Sequence, residues 1–121
     1  MEIYIATIFV KPGFEDKVAA YHKLMQDEMQ GVPGFLGRDV YQADNGRLMD
    51  EVKKVYTEEQ IRQNAEDPHP PATHFVIVEK WEDASARMAF VKSVASEKKH
   101  EIIPYLLPDH THEFYKHIAE S

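Results

Sequence analysis

Seven histidines, one tryptophan and one arginine set inside an apolar stretch are the residues of this 121-residue chain best suited to chemistry. His74 opens the run His74-Phe75-Val76-Ile77-Val78 and faces the side of Val76 and Val78, where it can serve as a hydrogen-bonded structural group or in pocket chemistry. Trp81 follows in Glu79-Lys80-Trp81-Glu82-Asp83; an indole at such a junction either packs the core or stacks on an aromatic ligand and offers its N–H. His100 lies in a polar stretch after Lys98-Lys99, and histidine is the side chain most easily placed to exchange protons at neutral pH. His110 and His112 would point the same way from a strand, the spacing for two ligands of one metal. Third and fourth ligands are not specified, so no metal is expected. Arg38 is costly to bury unless paired, and suits an anionic substrate or an ion pair across a dimer. Tyr4, Tyr21 and Tyr41 have the amphipathic shape that lines a ligand space or packs with a satisfied hydroxyl.

The composition removes several alternatives. A formal charge of −7 and a pI near 5.4 repel phosphate backbones and anionic lipid, so neither nucleic acid nor membrane is expected as a partner. With no cysteine there is no thiolate or disulfide chemistry, which fits a reducing, cytoplasmic setting. The opening apolar run, Ile3 to Val10, lacks a basic leader and stops at Lys11-Pro12-Gly13, and is read as a strand of the mature protein. No glycine-rich phosphate loop, nucleophile elbow or zinc pattern occurs, which disfavours ATP chemistry and serine hydrolysis. One domain, 1–121, is expected, able to bury roughly two thirds of its unfolded surface.

The elements that must position these residues follow from periodicity. Residues 2–10 place Ile3, Ile5, Thr7 and Phe9 on one side and Tyr4, Ala6, Ile8 and Val10 on the other, a strand with two apolar faces. Phe14, Val18, Tyr21, Met25 and Met29 recur at helical steps, with Glu15 and Asp16 suited to the helix start, so the first helix spans about 14–30 with Gly31 past its end. A second strand spans Phe35 to Ala43. Asp44-Asn45-Gly46 is a turn, after which Leu48, Met49, Val52, Val55 and Tyr56 fit a helix by spacing, while Val52 to Thr57 could equally be a short strand. Thr57 with Gln60 resembles a capping box opening a helix at about 58–66, ended by Asp67-Pro68-His69-Pro70-Pro71. The run from His74 reads as a strand buried on both faces and ended by the Glu79 to Asp83 step. Asp83 then caps a helix whose stripe is Ala84, Met88, Val91 and Ala95, widened by Phe90 and Val94. Ile102 to Pro108 is an apolar connector, and the last strand runs from about His110 to Ile118.

The resulting order, βαββαβ with an insertion at about 44–72, is a ferredoxin-like α+β fold: a four-stranded antiparallel sheet with two helices on one face. Both faces of the inner strands are apolar and helices cover only one. A homodimer through the bare face, a dimeric α/β barrel, is therefore expected, each subunit keeping a ligand space between sheet and helices. The insertion, isolated by its turns and weakly anchored, is expected as a rim or lid over that space.

The order of Val10-Lys11-Pro12-Gly13, Pro33-Gly34-Phe35 and Glu79-Lys80-Trp81-Glu82-Asp83 resembles the antibiotic biosynthesis monooxygenase-like family of dimeric α/β barrels. The resemblance implies a cofactor-independent monooxygenase of a small aromatic, polyketide-like or quinol substrate, in which a base removes a proton and the substrate carbanion reduces O₂. Relatives that degrade haem carry an asparagine, a tryptophan and a histidine at positions matching Ala6, Phe90 and His100 here. Two of the three differ, which disfavours haem degradation and leaves a non-catalytic barrel binding haem or an apolar ligand as the alternative. The expected catalytic residues are His100, Trp81 and His74. Tyr4, Ala6, Tyr21, Arg38 and Phe90 are expected to contact substrate.

Overall fold

The computed structural model describes residues 1–63, 73–93 and 99–119. Its elements run β1 (Glu2–Val10), α1 (Glu15–Glu28), β2 (Phe35–Gln42), α2 (Arg47–Val55), α3 (Glu58–Gln63), β3 (His74–Trp81), α4 (Ala84–Lys92), two single 3₁₀ turns (Lys99–Glu101 and Ile103–Tyr105) and β4 (Leu106–Tyr115). The strands form one antiparallel sheet in the order β2-β3-β1-β4, with α1 and α4 against one face, the ferredoxin-like arrangement the periodicity implies.

Strand parity sets the layers. Tyr4, Ala6, Ile8 and Val10 of β1 and Phe75, Ile77, Glu79 and Trp81 of β3 face the helices. Val10, Val18 and Phe75 form one core cluster, and Met25, Met29 and Trp81 another, to which Phe35, Ala86 and Phe90 add. On the opposite face Ile3, Ile5, Phe9, Val76 and Val78 are only half-buried, so the single chain does not cover β3 on both sides as the sequence suggested.

The boundaries differ from expectation where tertiary pairing overrides local sequence. Despite its charges, β3 continues through Trp81, because Glu79 and Trp81 pair with Tyr4 and Glu2 on one side and with Arg38 and Phe35 on the other. The last strand starts at Leu106 and stops at Tyr115; Pro108 is tolerated because β4 is an edge strand, where a missing N–H breaks no ladder bond. Helix α4 packs Ala86 and Phe90, both half-buried, against Trp81; of the expected stripe Ala84, Phe90 and Val91 are half-buried and Met88 is exposed. The expected positions Val94 and Ala95, and the exit 67–71, lie outside the described residues.

Two local motifs are as read. Asp83 accepts from the Ala86 N–H at 2.8 Å, capping α4. Thr57 and Gln60 form the reciprocal capping box at α3, with the Thr57 N–H donating to Gln60 Oε1 and the Gln60 N–H to Thr57 Oγ1. Residues 47–55 resolve as helix, with Lys53 and Lys54 at its negative end. Gly34 has a backbone reason: its φ is +81° and an added Cβ would lie 2.5 Å from Ala86 Cβ, while its carbonyl accepts from Glu82 N–H at 2.8 Å. That contact brings the entry of β2 onto the start of α4.

Candidate functional site

Between the inner sheet face, α1, α4 and the 102–108 segment lies a cavity of about 460 Å³. Its wall is largely apolar, with Ala6, Met25, Ile77, Phe90, Ile102 and Leu106 among the contributors. Most of its polar groups, those of Tyr4, His22, Arg38, Glu79, Arg87 and His112, form a connected network.

Glu79 is its centre. It projects inward from β3, is buried, and accepts from three donors: Arg38 Nε on Oε2 at 3.4 Å, and Trp81 Nε1 and Arg87 Nε on Oε1 at 2.9 and 3.0 Å. Three donors on two oxygens call for the acceptor-only carboxylate. Arg38, from β2, is equally occupied. Its Nη1 donates to the His22 carbonyl at 3.2 Å and to Gln26 Oε1 at 3.4 Å, and its Nη2 lies 2.9 Å from His22 Nδ1. A guanidinium has no acceptor, so His22 Nδ1 must accept and the ring proton must sit on Nε2. That Nε2–H is buried and meets no acceptor among the described residues. Burial, then the adjacent Arg38 charge, lowers the His22 pKa to about 4, so the ring is neutral near pH 7.

Arg87 reaches the same carboxylate from α4, and its guanidinium carbon lies 3.4 Å from the Tyr4 ring centroid, a stacked cation–π contact. Burial raises the Tyr4 pKa, opposed by Arg87, and burial likewise raises that of Tyr21. The Tyr4 hydroxyl is 3.3 Å from His112 Nδ1. At the rim, His110 Nδ1 is 3.0 Å from the Pro108 carbonyl, which only accepts; the neutral ring therefore carries its proton on Nδ1 and a free lone pair on Nε2. The His110 and His112 centroids are 5.4 Å apart, and among the described residues no third metal-binding side chain joins them.

All five residues expected to contact substrate, Tyr4, Ala6, Tyr21, Arg38 and Phe90, line the cavity. The expected catalytic trio is not brought together there. His100 is solvent-exposed in the Lys99–Glu101 turn, His74 sits on the opposite sheet face against Phe9, and Trp81 is wholly buried behind the wall between Phe35 and Phe90. Trp81 reaches the site indirectly, through its hydrogen bond to Glu79 and its packing behind Phe90, Met25 and Met29. Arg38 pairs within its own chain rather than across a dimer, and Tyr41 points away with Val76 on the bare face. Nor does the described part of the insertion, 44–63, contribute to the cavity wall, so the expectation of a lid receives no support from it.

The residues not singled out were His22, Glu79 and Arg87. Signals existed for two of them: His22 falls on the Val18-Met25-Met29 face of α1, and Glu79 holds the same parity as Phe75 and Ile77.

No family model and no curated protein matches the chain. Solved structures do. A crystal structure named antibiotic biosynthesis monooxygenase aligns over 98% of this chain and 99% of its own at TM-score 0.66 and 18% identity. A protein from Nitrosomonas europaea, named provisionally as such a monooxygenase, aligns over 98% and 99% at TM-score 0.69 and 12% identity. One from Deinococcus radiodurans, similarly named, aligns over 97% and 92% at TM-score 0.67 and 13% identity. The chain thus has the fold of the antibiotic biosynthesis monooxygenases. The resemblance carried by Val10-Lys11-Pro12-Gly13, Pro33-Gly34-Phe35 and the Trp81 step holds at that level.

Proposed function

We propose that this protein is a cofactor-independent monooxygenase of a small aromatic, polyketide-like or quinol substrate, working as a homodimer. The observation that carries the reading is the cavity of about 460 Å³: apolar along most of its wall, with charged and hydrogen-bonding groups converging on it. An enolisable ring lies along the apolar wall, and the lone pair on His110 Nε2 takes the proton that makes it a carbanion. Converting an activated CH₂ to a ketone with one O₂ releases one water, and the substrate carbon supplies all four electrons. No external reductant is needed, which is why such a site works without flavin, nicotinamide or metal.

Homodimerisation is supported by the bare sheet face, where Ile3, Ile5, Phe9, Val76, Val78 and exposed Tyr41 make a largely apolar surface that no helix among the described residues covers. A cytoplasmic location accords with the absence of cysteine.

A second reading, a non-catalytic barrel that binds an apolar ligand, is favoured by the mutual saturation of Arg38, Glu79 and Trp81, which leaves these groups bonded to one another rather than to a reacting atom. Oxygen-electrode assays with anthrone-like compounds and quinols separate the two. Stoichiometric O₂ uptake that falls at least about tenfold in His110→Ala supports catalysis. Binding without uptake supports the barrel that only binds, and uptake unaffected by His110→Ala removes the assigned base.

A further inference from the structure

The network does not balance its charges. Among the described residues that line the cavity, the fixed charges are Arg38, Arg87 and Glu79, two cations against one anion, and the ring that Arg38 touches, His22, is neutral. The rim histidines stand in solvent, and Glu113 of β4 occupies the parity of the opposite sheet face. The two arginines also differ in what they have left to give. Arg38 has every nitrogen engaged, on Glu79, His22 and Gln26. Arg87 spends only Nε on a carboxylate; it also shares a hydrogen bond with the Tyr4 side chain, but its terminal nitrogens have no carboxylate partner among the described residues. Its side chain is about nine-tenths buried, flat against the Tyr4 ring, in the polar network of an otherwise apolar space.

We infer that the cavity binds its ligand as a monoanion, an aromatic carboxylate or an acidic phenol or enol, with the charged oxygen on the terminal nitrogens of Arg87 and the ring along the apolar wall. One negative charge brings the cavity to neutrality, and a planar guanidinium presents two parallel N–H donors to such an oxygen pair. A dianion would leave a surplus charge in a poorly hydrated space, and a neutral ligand would leave the Arg87 charge uncompensated. Arg87 is thus a specificity-determining contact, whereas Arg38 is a positioning residue. The inference rests on the reading of this cavity as the substrate site and narrows its substrate class.

The test uses two redox-inert probes of the same shape, 2-naphthoate and 2-naphthamide, titrated calorimetrically into the full chain at pH 7.5. Because neither probe can be oxidised, the outcome is independent of the oxygen-uptake assay: the monooxygenase reading can fail while the anion site stands, and the reverse. The expected result is 2-naphthoate binding at least about tenfold tighter than the amide. In Arg87→Met that preference disappears, with 2-naphthoate weakened at least about tenfold and the amide changed by less than about twofold. Arg87→Lys, which keeps the charge but not the fork, restores part of the preference. Equal affinities in the unaltered protein, no binding of either probe, or a preference that survives Arg87→Met overturns the inference. The comparison of acid with amide needs no variant, so a poorly folding Arg87→Met leaves the test decisive.

Discussion

His22 gives the network a measurable pH signature. In the unfolded chain its imidazole takes a proton near 6.5; in the folded chain, buried beside Arg38, it does so only at about 4. Between these values the unfolded state binds more protons, so unfolding free energy falls as pH falls from about 6.5 to about 4, and this contribution is flat above 6.5. At about 1.36 kcal/mol per pH unit, that gap is worth roughly 3 kcal/mol at its acid end. His22 is only 6% exposed, so solvent screening removes little of it. Carboxylates also titrate near the lower limit, and His22→Gln isolates the effect, since Gln can accept from Arg38 and carries no proton to gain. Urea unfolding followed through Trp81, the single tryptophan, should show the stability advantage of the parent over His22→Gln shrinking by about 3 kcal/mol between pH 7.5 and pH 4. NMR titration of the ring should find its midpoint well below 6. A midpoint near 6.5, or a parent-to-variant difference that does not change with pH, would refute the buried, Arg38-bonded imidazole.

Two further outcomes follow from the same geometry. Glu79→Gln leaves two guanidiniums without their buried counterion and should cost about 3 kcal/mol in urea unfolding at fixed protein concentration, against about 1 kcal/mol for Arg87→Met, whose side chain is nearer solvent; similar costs for the two would show that Glu79 is not the centre of the network. Val78→Glu, on the bare sheet face, should convert a micromolar dimer to monomer in sedimentation velocity, and a parent protein that already sediments as monomer would end the dimer proposal.

The fold was legible because it is written in periodicity. Alternation in residues 2–10 grouped Tyr4, Ala6, Ile8 and Val10 on one face, and steps of three and four in 14–29 grouped Tyr21 and Met25 on one side of the first helix; the structure turns both groups inward, where Tyr4, Ala6, Ile8, Tyr21 and Met25 line the cavity. The chemistry was less legible because it is built from residues that are distant in sequence and meet only through register. Glu79 looks like the charged end of a strand until Tyr4 and Arg38 are seen to flank it across two ladders. Parity could have removed His74, which shares the face of Val76 and Val78, opposite to Glu79. Spacing taken from relatives could not place His100, since a turn rather than a continuing helix carries it. Residues 47–56 were ambiguous for a simpler reason: their apolar side chains Leu48, Val55 and Tyr56 are exposed, so packing among the described residues does little to select between the two periods.

The buried ions also account for the cavity's persistence. A space of about 460 Å³ lined by Met25, Ile77 and Phe90 would gain contacts by closing, since apolar side chains gain dispersion and lose water when they meet. Arg38 opposes that closure. It donates to the His22 carbonyl and to Gln26 Oε1, Gln26 Nε2 donates back to the Arg38 carbonyl at 2.8 Å, and both partners belong to α1. Arg87 ties α4 to the same carboxylate on β3. The two helices are therefore held to the sheet through long, hydrogen-bonded side chains, and sliding either helix inward would break bonds to groups that water cannot reach, at a cost of about 1–3 kcal/mol for each group left unpaired. One guanidinium engages every nitrogen in this strut, while the other has only Nε on a carboxylate. Arg38 holds α1 alone, whereas Arg87 both ties α4 to Glu79 and faces the cavity, so a change at Arg87 alters ligand preference and the hold on α4 together while the α1 wall stays in place.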